Sequence, residues 1–120
     1  MEGYRLVAEV PVRFSDMDAM GHVNNAVYLT YLEAARVEYI ARVMGIAEPK
    51  DYGVIIARVE IDYKSPAYHH EPMRVGCRVE KLGGSSISMD YRVEGKENGR
   101  LVVLAKSVMV SFDYGRGKPM

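Results

Sequence analysis

The sequence has 120 residues, 48% of them hydrophobic, and its 16 Lys plus Arg balance 16 Asp plus Glu. That length suits one domain over residues 1–120, and the apolar content is too high for a disordered chain. Zero net charge argues against a nucleic-acid partner held by a broad basic field, and it leaves copies of the chain little reason to repel one another. A lone Cys77 excludes an internal disulfide and a Cys-based zinc site. No apolar run approaches the roughly 20 residues of a membrane span, and residues 1–5 do not resemble a signal peptide. A soluble cytoplasmic protein is expected, with no membrane attachment.

In chain order, Leu6, Ala8, Val10, Val12 and Phe14 alternate with mostly polar neighbours, which is strand periodicity. Pro11 cannot donate to a ladder, so this strand should lie at an edge or break there. The stretch from Arg13 to Asn25 is a loop dense in functional groups: Asp16, Asp18, Gly21, His22, Asn24 and Asn25. Both Asn are helix-capping types, and backbone amides at a helix start favour nearby negative charge. Gly21 lets the loop double back. From Ala26 to Met44 two apolar stripes predict a helix buried on most sides, with Gly45 as its stop and Pro49 in the loop beyond.

Four more segments alternate as strands: Ile55–Lys64, Met73–Glu80, Ile87–Glu94 and Leu101–Phe112. Turn residues separate them, Glu97-Asn98-Gly99 most strongly. The last strand is apolar on both sides and should be central or at a subunit contact. Residues 113–120 read as a loose tail. One helix among antiparallel strands predicts an α+β fold in which a strongly curved sheet wraps around the helix. Open sheet edges predict a dimer, with a tetramer expected beyond it.

The loop Asp16-x-Asp18-x-x-Gly21-His22-Val23-Asn24-Asn25, followed by helix residues Tyr28, Glu33 and Arg36, resembles that of hotdog-fold acyl-CoA thioesterases of the 4-hydroxybenzoyl-CoA thioesterase-like family. Tyr63-Lys64-Ser65-Pro66 and Ser107-Val108-Met109-Val110 add support. The resemblance implies hydrolysis of an acyl-CoA substrate at a site shared between subunits of a homo-oligomer, with no metal and no cofactor other than the CoA of the substrate. It implies that Asp18 is the nucleophile or general base and that the Asn25 backbone amide polarises the carbonyl, with His22 in support. Gly21, Val23 and Tyr28 would contact substrate, and Val54, Ile55 and Ile56 would line the acyl pocket from the partner subunit.

Independent chemistry is compatible. Preorganised amides stabilise a developing oxyanion, and a thiolate leaves without strong acid assistance. No Gly-x-Ser-x-Gly elbow is present. Two other readings share the fold: a hydratase or dehydratase using His22 with Glu33, and a non-catalytic acyl-CoA binding module. Asp16 reads as Arg13's partner, Glu33 and Arg36 as a helical ion pair, His69-His70-Glu71 as a solvated turn, and Cys77 as a small core residue. Arg58, Lys64, Arg74, Arg78, Lys81 and Arg92 are all possible contacts for CoA phosphates.

Overall fold

The computed structural model describes residues 1–46, 53–113 and 115–119, so Pro49 lies outside the described residues. The elements are β1 (Leu6–Val10), a 3-10 turn (Phe14–Asp16), α1 (Val27–Arg42), β2 (Val54–Tyr63), β3 (Met73–Leu82), β4 (Ser86–Gly95), β5 (Leu101–Asp113) and β6 (Lys118–Pro119). The sheet is antiparallel, in the order β1-β3-β4-β5-β2, with β6 beside β5. This is the expected hotdog arrangement of a sheet with one long helix.

Period-two alternation explains the core. Leu6, Cys77, Tyr91, Ala105 and Ile61 face one another across the five main strands, and Ala8, Val75, Val93 and Val103 form the next row. These rows meet Tyr28, Tyr31, Leu32, Ala35 and Tyr39 of α1 in one buried cluster. The opposite sheet face carries charge of alternating sign. Arg78, Asp90, Lys106 and Glu60 are register neighbours from β3 to β2. Arg78 lies 3.4 Å from Asp90, and Lys106 3.7 Å from Asp90. Opposite charges directly across a sheet stabilise it modestly.

The edge position of β1 and the inner position of β5 agree with the sequence, and other expectations need correction. The chain does not run from β2 into a hairpin with β3. β2 pairs with β5, and β3 sits between β1 and β4. The turn-rich stretch 64–72 therefore carries the chain across the sheet. β5 is central, which accounts for its two apolar faces. β1 ends at Val10, before Pro11, and lies at an edge. Phe14 leaves the strand pattern for the 3-10 turn and is exposed. The helix buries a single face. Leu29 and Val37 remain exposed, with Glu33 between them. The tail is not wholly loose: Lys118 and Pro119 pair with Asp113 and Phe112 after a turn in which Asp113 Oδ1 accepts the Gly115 and Arg116 amides.

Candidate active site

The loop between β1 and α1 is built on Asp16. Asp16 is 1% exposed. One carboxylate oxygen accepts the Arg13 amide at 3.0 Å and the Tyr31 hydroxyl at 2.7 Å, and the other accepts the Arg13 guanidinium. Burial alone would raise this carboxyl's pKa. The hydrogen bonds from the Arg13 amide, Tyr31 and the Arg13 side chain outweigh that and hold it below its ordinary value. The Asp16 carbonyl accepts the Asn24 amide at 2.9 Å, which ties the far end of the loop to the same anchor.

Between these anchors the chain makes a tight reversal. Met17 bridges Val23, the Asp18 amide donates to the His22 carbonyl, and the Gly21 amide closes on the Asp18 carbonyl. Gly21 has φ +84°, the left-handed region that a side chain disfavours. Asp18 Oδ1 accepts the Met20 amide at 2.9 Å. Its other oxygen lies 3.7 Å from His22 Nδ1. The same Nδ1 is 3.1 Å from the Val23 carbonyl, which can only accept, so Nδ1 is the donor of this hydrogen bond.

At the start of α1 the Asn24 side chain accepts the Ala26 amide at 2.9 Å, and the Asn24 carbonyl accepts the Val27 amide. Asn24 thus does the capping, as expected. The structural cap residue is Ala26, and Asn25 stands one place before it. The Asn25 N–H has no acceptor among the described residues. Its carbonyl accepts the Tyr63 hydroxyl at 2.9 Å from the end of β2.

Asn25 borders an open crevice of about 320 Å³ lined also by His22, Val23, Tyr28, Tyr63, Lys64, Ser65 and Pro66. Tyr28 is 2% exposed, and its ring lies 5.6 Å from that of Tyr63. Burial raises the Tyr28 hydroxyl's pKa, against the opposing effect of the Ala67 backbone. The Val23 amide donates to the Ala67 carbonyl at 2.8 Å, so the 64–72 crossing is stitched to the loop.

The structure brings His22, Val23, Asn25 and Tyr28 together at this wall. Asp18 and Gly21 lie on the same hairpin but not in the wall, and Asp18 approaches it through His22. Val54, Ile55 and Ile56 do not reach the crevice within one chain. Val54 and Ile56 pack toward the core, and strand alternation turns Ile55 to the other face. Glu33 is exposed, 4.0 Å from Arg36, and does not converge with His22 within the chain. Arg36 donates instead to the Tyr91 hydroxyl at 3.3 Å. Burial pushes the Cys77 thiol up to about 12, as befits an inert core residue. Glu71 is engaged by Arg100, and the His69 and His70 rings stack 3.7 Å apart. The residues missed as wall members are Tyr63, Ser65 and Pro66. They are remote in sequence, and only the short Tyr-Lys-Ser-Pro run marks them.

Residues 12–120 match the model of the thioesterase-like superfamily. The chain belongs to that superfamily. Among solved structures, this thioesterase-like chain is similar to a thioesterase complexed with coenzyme A and Zn from Thermus thermophilus, with TM-score 0.87 and 38% identity over 100% of this chain and 88% of the other. Among curated proteins it is 27% identical to the acyl-CoA thioesterase YbgC of Haemophilus influenzae, over 92% of this chain and 83% of that one. It is 24% identical to the long-chain acyl-CoA thioesterase FadM of Escherichia coli, over 93% and 86%. Membership makes the chain a thioester hydrolase. No helix among the described residues is long and apolar enough to cross a membrane.

Proposed function

We propose that this thioesterase-like chain hydrolyses an acyl-CoA thioester to a free acid and CoA. The observation that carries the reading is that Asn25, a crevice-lining residue next to the Asp18–His22 hairpin, has an N–H without an acceptor among the described residues. A donor held there by the surrounding backbone needs no reorganisation when a carbonyl oxygen gains negative charge. In this mechanism the thioester oxygen takes the Asn25 N–H. The Asp18 carboxylate either removes a proton from the attacking water or attacks the carbonyl carbon itself, with water then cleaving the anhydride. The C–S bond breaks and CoA leaves as a thiolate that takes up a proton. His22 holds its place between Asp18 and the crevice. Val23 and Tyr28 face the acyl group, and Gly21 shapes the turn that presents Asp18. Free-thiol release across a panel of acyl-CoAs tests the activity. Tight acyl-CoA binding with no thiol released would make the chain a binding module instead.

One observation favours a second reading. His22 lines the crevice, whereas Asp18 does not. In that version His22 is the base and Asp18 orients it.

Among the cations that could meet CoA phosphates, Arg58, Arg74, Arg78 and Arg92 are each paired with a carboxylate. Lys64 and Lys81 have no ion-pair partner among the described residues, and of the two Lys64 stands at the crevice. Lys64→Ala is expected to raise KM for acyl-CoA about 5–10-fold, the scale of one charge-assisted contact, with kcat nearly unchanged. Steady-state kinetics at low and high salt check this, since the effect should shrink as salt screens the charge.

The steps above use a carboxylate, an amide and water, with CoA as part of the substrate and no separate cofactor. Dialysis against EDTA should therefore leave turnover unchanged, and a loss restored by a divalent metal would overturn that statement.

The assembly we propose is a homodimer, or a dimer of dimers, joined along β2. That strand stands last in the sheet order of the described residues. Val54, Ile55 and Ile56 would reach a neighbouring site only across that strand. Light scattering should give twice or four times the chain mass, and a monomer that remains fully active would refute a shared site.

A further inference from the structure

We propose that Tyr63 is a positioning residue for the Asn25 amide, an inference that rests on the oxyanion role given to that amide above. Asn25 lies before the helical ladder, so its carbonyl receives no helical hydrogen bond. Its partner is the Tyr63 hydroxyl, donated at 2.9 Å from a strand 38 residues away in sequence.

The two peptide planes that meet at Asn25 are held from different sides. The plane carrying the Asn25 N–H also carries the Asn24 carbonyl, which the Val27 amide holds at 2.9 Å. The following plane carries the Asn25 carbonyl and the Ala26 N–H. The Asn24 side chain holds one end of it and Tyr63 the other. Without Tyr63, every remaining restraint on Asn25 comes from its immediate neighbours. The Asn24 amide stays on Asp16 and the Val23 amide on Ala67, so the loop keeps its place while the Asn25 peptide loses its one direct bond to β2. Tyr63 is the tie that sets the donor's direction against the opposite wall.

The tie is itself braced. The Tyr63 ring packs against Tyr28 at 5.6 Å and 60°, and Tyr28 packs edge-on against Tyr31 at 5.8 Å. Tyr31 in turn donates to Asp16. A row of three tyrosines thus connects the anchor of the loop to the carbonyl beside the proposed donor. The Tyr63 side chain is 48% exposed, and its hydrogen bond lies at the surface. Loss of the hydroxyl therefore leaves the Asn25 carbonyl to water and has little effect on stability.

The test is Tyr63→Phe, which keeps the ring and removes only the donor. A misaimed oxyanion donor costs less than an absent one, for which losses of about 10²–10³ in kcat are typical. The expected result is a fall in kcat of about 10-fold, with KM within about twofold and an unchanged melting temperature. A kcat equal to the parent's overturns the inference. So does a change confined to KM, which would make Tyr63 a substrate contact.

A second arm uses Asn25→Pro, which deletes the N–H itself. If Tyr63 acts through that N–H, adding Tyr63→Phe to Asn25→Pro should change kcat no further. An additional 10-fold loss would sink the inference. Should Asn25→Pro not fold, the single-variant kinetics decide alone. Asp18→Asn, run in parallel, separates the two levels. If it abolishes turnover while Tyr63→Phe does not lower kcat, the site reading stands and only this inference fails. If Asp18→Asn is fully active, the Asp18 mechanism fails, and the Tyr63 result reports on the amide alone.

Discussion

Asp18→Asn is expected to lower kcat for acyl-CoA hydrolysis by about 10²–10³-fold, the usual range for removing a positioned base, with KM changed much less. The substitution is nearly isosteric. An Asn oxygen can still accept the Met20 amide that Asp18 Oδ1 now accepts at 2.9 Å, so the turn survives. What is lost is the negative charge, the lone pair able to take a proton or attack a carbonyl, and the attraction to His22 3.7 Å away. His22→Ala should cost less than about 10-fold if the carboxylate does the chemistry. The reverse ranking, with His22→Ala the more damaging, would transfer the role of base to the imidazole. Kinetics with the two variants and one good substrate decide the matter.

Asp16→Ala should act on the fold. Removing this carboxylate strands the Arg13 amide and the buried Tyr31 hydroxyl, which it now satisfies at 3.0 and 2.7 Å. Leaving buried donors unpaired costs about 1–3 kcal/mol each, so a loss of about 3 kcal/mol is expected. For a chain of this size that is a fall in melting temperature on the order of 10 °C. The pH dependence has a defined sign. The Asp16 pKa is lowered in the folded state, so its contribution to stability is complete above the ordinary carboxylate range and disappears as pH falls through the folded value. Thermal melts from neutral to acid pH should show the parent losing this increment while Asp16→Ala has none to lose. Parallel acid profiles for the two proteins would contradict the assignment.

These two acids show how far sequence can be read. Their spacing marks the loop but does not say which carboxylate is buried. That depends on Tyr31, one helix away, whose hydroxyl reaches Asp16 only after α1 docks. Alternation located the strands because each turns one face into the apolar cluster that it shares with the helix. It could not locate their partners. The stretch Ser65 to Pro72 has the composition of a hairpin turn, yet it carries the chain across the sheet, because β5 takes β2 as its neighbour. The apolar stripes of α1 overstated its burial for a similar reason. Periodicity reports apolar surface, and Leu29 and Val37 are apolar but uncovered in one chain. Tyr63 illustrates the remaining gap. Its role depends on a hydrogen bond to a backbone carbonyl 38 residues away, which no side-chain pattern encodes.

The position of β2 has one more consequence. Among the described residues its sheet partner is β5, so its detachment would leave the pairings of β1, β3 and β4 in place. Such partial openings cost less than global unfolding and are visible as early deuterium uptake. Strand β2 ends in the residue that fastens Asn25, so in a lone protomer an excursion of this margin would switch the proposed donor out of line, and a second copy docked along β2 would hold the donor in place.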